Sequence, residues 1–195
     1  SRVFVRTAQA IGVTPNTVQY AYDDLAIDPA PSFIVRPPNG VDGWVAALDT
    51  RDIPVFMSTI EAIAEAQANE DATDAHSLAE SIADDPLMTL KLLRYVARHR
   101  RRRDDTDIES VTGALVMVGI TPFFREFGHQ EMVEQRLAEW PAAVEGLARV
   151  RRRAFRAARF ALGFAVHRLD QDAVLIFEAA LMHDFAEMLL WTHAP

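Results

Sequence analysis

The fold is decided by the stretch Asp85-Pro86-Leu87-Met88-Thr89-Leu90-Lys91-Leu92-Leu93-Arg94-Tyr95-Val96. A proline is tolerated in the first turn of a helix, where its missing N–H donor is not needed. The residues after Pro86 are apolar on nearly every side but one, which is typical of a helix with neighbours on most of its faces. We therefore predict a helix that begins at Pro86 and lies at the centre of a helical bundle.

On both sides of this stretch, apolar residues recur at the helical spacing of three or four. The pattern predicts helices over residues 54–69, 76–85, 108–118, 141–168 and 173–190, with a shorter one after a cap at Thr121-Pro122. No apolar stretch between residues 53 and 192 alternates as a strand would, so we predict an all-α fold without a sheet in that span. The predicted core residues are Leu90, Leu93, Val96, Leu115, Val118, Phe123, Phe124, Phe127, Leu162 and Leu181.

Composition narrows the classes of function. The chain has 195 residues, half of them apolar, and a net charge of −8, with Lys91 as the only lysine. An acidic total argues against a dedicated binder of nucleic acid or of an anionic membrane. The absence of cysteine excludes disulfides and thiolate chemistry, and no signal-peptide pattern or long uncharged apolar run is present. We expect a soluble cytoplasmic protein that needs no cofactor.

Residues 1–52 are predicted to form a short irregular or helical extension before the domain of residues 53–195. Residues 4–23 resemble the helix-turn-helix of GntR-type regulators, with Gly12 in the turn and Thr14 as the cap of the second helix. Four prolines between residues 29 and 38 then form an irregular connector.

If the helix-turn-helix bound DNA, a defined set of residues would make the contacts. These are Arg6, Asn16, Thr17 and Gln19. Most DNA affinity comes from neutralising phosphates, whereas this segment sets Arg2 and Arg6 against Asp23, Asp24 and Asp28. We therefore expect a helical hairpin without tight DNA binding.

Three other pieces carry a family resemblance. Residues 53–56, 78–94 and 111–119 resemble the HDOD domain, an output domain of bacterial signalling proteins that is related to HD phosphohydrolases. The most specific feature is the order Asp-Pro-x-x-Thr-x-Lys-x-Leu-Arg over residues 85–94. The resemblance implies a multi-helix HDOD-like bundle that works with protein partners in a bacterial signalling pathway. The role of the arginine run at residues 100–103 and the presence of a homo-oligomer stay open.

The same resemblance places an HD pair at His183 and Asp184. In catalytic HD proteins the first metal ligand is a His near the start of the preceding helix, and that position falls on Arg153 in this chain. The Gly and Lys that usually follow the pair are replaced by Ala186 and Glu187. An arginine stays protonated and cannot bind a metal cation, so the resemblance implies vestigial HD positions without catalytic residues or a metal.

Two alternatives accompany this interpretation. The first is a transcription regulator that contacts DNA through residues 4–23. The second is a metal-dependent phosphohydrolase with a rearranged ligand set of His183, Glu187 and His167. We prefer a non-enzymatic module in which an arginine such as Arg153 pairs with Asp184 and holds two helices together. The arginines at 149–159 are expected on a solvated face, with binding of an acidic partner or a nucleotide as the alternative.

Overall fold

The computed structural model describes residues 32–99 and 110–195. The α-helices of this part are α1 (Gly40–Asp49), α2 (Met57–Ala68), α3 (Ala75–Ile82), α4 (Pro86–His99), α5 (Val111–Val118), α6 (Ile120–Phe127), α7 (Val133–Arg136), α8 (Pro141–His167), α9 (Ala173–Met182) and α10 (Phe185–His193). A short 3-10 helix spans Glu70–Ala72. Among the described residues no β-strand is present, which confirms the predicted all-α class.

Helix α4 lies between two hydrophobic cores and contributes to both. Its residues Met88, Leu92 and Val96 pack into a first core with side chains of α2, α3, α5 and α6. Leu87, on another side of the same helix, packs into a second core with side chains of α7, α8, α9 and α10. A helix that is apolar on most of its faces is needed at such a position. The predicted central place of this helix is therefore confirmed.

Most of the predicted core residues lie in these cores. The fully buried ones are Val96, Leu115, Phe123, Phe124, Phe127 and Leu181. Leu90, Leu93 and Val118 are only partly buried and pack against the edges of the cores, and Leu162 is also partly exposed. For these four the sequence pattern overstated burial, because helical spacing identifies the inward side of a helix but not how far its neighbours extend along it.

The start of α4 is held by a buried carboxylate. Asp85 is 2% exposed, and its Oδ1 accepts hydrogen bonds from the backbone N–H groups of Leu87 (2.8 Å) and Met88 (3.1 Å). Its other oxygen, Oδ2, accepts from the hydroxyl of Thr59 (2.7 Å) and the N–H of Phe56 (3.1 Å). Asp85 therefore caps α4 and also ties the start of α2 to it.

Further along α4, two basic side chains anchor the segment that precedes α2. The Lys91 ammonium donates to the carboxylate of Asp52 (2.8 Å) and to the carbonyl of Ile53 (2.9 Å). One turn later, Arg94 donates to the carbonyl of Arg51 (2.9 Å). Asp85, Lys91 and Arg94 thus attach residues 51–59 to the stretch that decides the fold.

The predicted helix start at Pro54 is wrong. Val55 instead forms an isolated parallel bridge with Met132, through hydrogen bonds from Val55 N–H to Glu131 and from Val133 N–H to Val55 (both 2.9 Å). Helix α2 consequently begins at Met57. The predicted cap at Thr121-Pro122 is also wrong, because α6 begins directly after Gly119, whose positive φ of 84° suits a glycine.

Residues 33–49 pack on the same unit as the helices that follow. The N–H of Ile34 donates to the carbonyl of His193 (2.7 Å), Phe33 meets Trp140 edge to face, and Leu48 lies against the second core. Contacts within the chain unite residues 33–195. The predicted domain boundary at residue 52 stays a prediction. The helix-turn-helix residues and the arginine run at 100–103 lie outside the described residues.

Helices α8 and α10 approach each other closely at Gly146. A Cβ placed there would come within 2.6 Å of the ring of Trp191, so the indole occupies the space that any larger residue would need. This close approach brings α10, and the turn before it, against α8.

Candidate functional site

His183 and Asp184 lie at a helix junction. The sequence predicted one helix over residues 173–190, but α9 ends at Met182 and α10 begins at Phe185. The backbone of Asp184, with φ −98° and ψ 18°, leaves the helical conformation. The expectation of a pair inside an apolar helix is therefore wrong: the His183 side chain is 83% exposed and that of Asp184 is 21% exposed.

The guanidinium of Arg153 joins α8 to Asp184 and to α10. Arg153 on α8 donates from Nε to Oδ2 of Asp184 (2.9 Å) and from a terminal nitrogen to Oε2 of Glu187 on α10 (2.6 Å). The imidazole Nδ1 of His183 lies 3.0 Å from the other oxygen of Asp184. The predicted pairing of Arg153 with Asp184 is confirmed, and Glu187 shares it.

The electrostatics of this cluster favour the charged form of Asp184. The Arg153 hydrogen bond, followed by that from His183, lowers the pKa of Asp184 below its ordinary value. In return the two carboxylates raise the pKa of Arg153. Asp184 precedes α10, yet its side chain makes no cap hydrogen bond to that helix within the described residues; its oxygens bond to Arg153 and His183.

The described residues do not assemble a metal-binding group. No three His, Asp or Glu side chains within residues 32–99 and 110–195 converge in a way that could hold an ion. His167, which the rearranged ligand set would require, is the last residue of α8 and is exposed. At the HD-like pair, His183 lies against Asp184, and Arg153 stands between Asp184 and Glu187 and bonds to both.

The family follows from comparison with known proteins. The model of the HDOD domain matches residues 53–195, which is most of the chain. The chain belongs to the HDOD family. No curated protein and no solved structure matched it. The HDOD domain is a signalling-associated relative of HD proteins, so the predicted resemblance is confirmed. No helix among the described residues is long and apolar enough to cross a membrane.

A groove of about 880 Å³ lies beside the cluster on the surface of the HDOD domain. Its apolar lining includes Phe56, Val133 and Leu147, and five arginines of α8 surround it, at positions 149, 151, 152, 153 and 156. Asp84 and Glu134 are the carboxylates in the lining. The sequence predicted the arginines on one side of α8, but did not place Phe56 or Val133 against them, because those residues arrive from distant parts of the chain.

A further buried polar residue, His193, was not predicted from the sequence. His193, near the end of α10, is 1% exposed, and its Nδ1 lies 3.2 Å from a guanidinium nitrogen of Arg136. Burial, and then the charge of Arg136, lowers the pKa of His193 to about 4. An arginine only donates, so Nδ1 accepts and the ring is neutral. No sequence pattern distinguishes this histidine from an exposed one.

Proposed function

We propose that this HDOD domain is a non-catalytic interaction module of a bacterial signalling pathway. The observation that carries the proposal is the position of Arg153, whose guanidinium is bonded to both Asp184 and Glu187. These carboxylates are the groups that would be needed to hold a divalent cation at the HD pair. Their lone pairs are directed instead at a permanent positive charge of the protein itself.

The chemistry of HD hydrolysis supports the same proposal. A catalytic metal site takes about three protein ligands and leaves a coordination position for the attacking water. His183 and Asp184 supply two, and Arg153 stands where the resemblance places the first ligand. The nearby arginine repels a divalent ion, so it opposes metal binding more strongly than a neutral residue at that position would. Cytoplasmic location is part of this proposal.

Metal content and hydrolysis together test the proposal. We expect the purified protein to contain less than stoichiometric transition metal by elemental analysis. We also expect no turnover of p-nitrophenyl phosphate or of a cyclic dinucleotide in added manganese. The matched variants are His183→Ala and Asp184→Ala, which remove the HD pair one residue at a time and should change neither result.

The opposite outcome is equally specific. Stoichiometric metal that is lost in His183→Ala, or hydrolysis that is abolished in Asp184→Ala, would establish the metal-dependent phosphohydrolase instead. The variants separate this from contamination, because a contaminating phosphatase would be unaffected by either substitution.

A further inference from the structure

Within residues 32–99 and 110–195, one face of α8 stays exposed over more than four turns. Arg149, Arg152, Arg156, Phe160 and Phe164 follow one another at intervals of three or four residues, which places them on the same side of the helix. Phe160 is 71% exposed and Phe164 is 69% exposed. We call these five residues the α8 stripe. Arginine occupies its first half and phenylalanine its second, over about 22 Å.

The arginines of the α8 stripe differ from their neighbours on the same helix. Arg153 is bonded to Asp184 and Glu187, and the guanidinium of Arg151 lies over the ring of Phe56 at 4.1 Å. Within the part of the chain that the structure describes, Arg149, Arg152 and Arg156 take part in no ion pair or side-chain hydrogen bond. Their charges border the groove, whose lining among the described residues has five arginines and two carboxylates.

Gly163 adds a second feature to this face. It lies inside α8 between the two exposed phenylalanines, and a Cβ built on it would meet no atom of the described residues within 4 Å. Glycine is unfavourable in a helix interior relative to alanine, and Gly146 on the same helix has a packing reason for it in Trp191. Gly163 has no such neighbour in the described residues. A glycine between two large side chains lets another backbone approach the helix closely.

From these observations we infer that the α8 stripe and the adjoining groove bind an acidic amphipathic segment of a partner protein. The segment carries carboxylates spaced over one to two helical turns for Arg149, Arg152 and Arg156, followed by large apolar side chains for Phe160 and Phe164. The inference rests on the proposed function, since it names the partner chemistry of the interaction module. If the protein hydrolysed phosphate esters, the proposed non-catalytic function would be wrong, but peptide binding to the α8 stripe could still be tested separately.

Charge complementarity favours this occupant over an anionic membrane. An amphipathic helix that lies on a membrane buries a continuous apolar face and has its basic residues on the opposite, polar face. Here the basic and apolar residues share one face and are separated along the axis. The nearby carboxylates of Asp84 and Glu134, and the net charge of −8, would also be brought against the anionic lipid.

Fluorescein-labelled peptides of about 16 residues, long enough to span the stripe as a helix, test the inference by fluorescence anisotropy. One peptide has three Glu in its first half and two Leu in its second half at helical spacing, and another has the reverse order. Each has two controls, with Gln for Glu and with Ser for Leu. We expect one Glu-Leu peptide to bind about tenfold or more tightly than both of its controls, and more weakly as salt is raised.

Variants of the full chain assign the binding to the stripe. Arg149→Gln combined with Arg152→Gln should weaken the peptide about tenfold, and Phe160→Ser combined with Phe164→Ser by a similar factor. Gly163→Leu should also weaken binding, because the larger side chain blocks the close approach of a partner backbone. Leucine has a higher helix propensity than glycine, so weaker binding would not result from loss of the helix. The matched controls are Arg125→Gln on α6 and Val116→Ser on α5, which are exposed helical residues outside the groove and should leave affinity unchanged. Circular dichroism verifies that each variant is folded.

Four outcomes overturn the inference. The first is that neither Glu-Leu peptide binds, and the second is that binding is indifferent to the stripe variants. The third is stripe-dependent binding to phosphatidylserine vesicles without peptide binding, which assigns the face to a membrane. The fourth is a dimer in sedimentation velocity that Phe160→Ser dissociates, which assigns it to a second copy of the chain. None of the four changes the metal and phosphatase results, so the proposed function is judged separately.

Discussion

Two sets of charged residues in this HDOD domain have opposite surroundings. Asp85 and Lys91, on or beside α4, are 2% and 9% exposed, and both bond to residues of the distant segment 52–59. Arg153 and Asp184, at the HD position, lie at the surface and bond to each other. The HD-like residues are therefore the more solvated ones, and the charged residues of the α4 motif, residues 85–94, are the more buried ones.

Burial explains why the two sets matter differently. A buried carboxylate or ammonium must have its hydrogen bonds supplied by the protein, so each partner is required for stability. An exposed ion pair competes with water and contributes little. Substitution of the polar residues of the α4 motif should therefore lower the free energy of unfolding strongly, whereas substitution at the HD position should change it little. The following four predictions test this contrast in order of decreasing effect.

The largest effect is expected for Asp85→Ala. It removes the cap of α4 and leaves the buried N–H of Phe56 and hydroxyl of Thr59 without their acceptor. We expect the free energy of unfolding, measured in urea, to fall by about 3 to 5 kcal/mol. The neighbouring Asp84→Ala, at an exposed position, should change it by no more than about 0.5 kcal/mol. Equal effects at the two positions would contradict the contrast.

The second prediction concerns the effect of the buried His193 on stability at acidic pH. Its pKa is lowered from 6.5 to about 4 on folding, so between these pH values the unfolded chain binds a proton that the folded chain does not. The contribution of neutral His193 to stability is complete above pH 6.5 and is lost as the pH falls toward 4. The free energy of unfolding should fall by up to about 3 kcal/mol in total from this histidine. Urea unfolding at several pH values measures this loss.

A variant separates His193 from the carboxylates that also titrate in acid. His193→Gln cannot take up this proton, so its unfolding free energy should fall less steeply than that of the parent as the pH is lowered from 6.5 toward 4. The exposed His129→Gln should keep the parental slope. Parallel pH profiles for the parent and His193→Gln would show that this histidine is not held neutral.

The third prediction is a change of pKa at the HD position. Arg153→Gln removes the main cause of the lowered pKa of Asp184, so that pKa should rise toward its ordinary value. Carboxyl titration followed by NMR measures it directly, with Arg149→Gln as the control on the same helix. Because folding lowers the pKa of Asp184, its ionised carboxylate stabilises the folded protein at pH values above the unfolded-state pKa. This contribution is small at an exposed position and should disappear in Arg153→Gln.

The smallest effect is expected for His183→Ala. The His183 side chain is 83% exposed, and within the described part of the chain it hydrogen-bonds to the partly exposed carboxylate of Asp184. The unfolding free energy should change by no more than about 0.5 kcal/mol. A large loss of stability, or of a bound metal, would show that the HD pair is still a site.

The sequence predicted individual helices better than their ends. Helix α8 was predicted from Pro141 and runs from that residue to His167, because a 27-residue amphipathic pattern dominates the local signals. The start of α2 and the break before α10 were missed. Val55 pairs through its backbone with residues 131–133 instead of joining the helix, and Asp184 at the break bonds to Arg153 of α8. Both causes are tertiary contacts, which local pattern does not contain.

The sequence alone determined the helical class, the central place of α4 and the permanent positive charge at Arg153. These depend on apolar spacing and on residue chemistry, which belong to the chain before it folds. Tertiary structure decided which charges are buried and which are free. Arg149, Arg151, Arg152 and Arg153 are chemically identical, yet one lies over Phe56, one bridges two carboxylates and two have no ion-pair partner in the described chain. The difference arises because successive residues of a helix point about 100° apart, toward different neighbours.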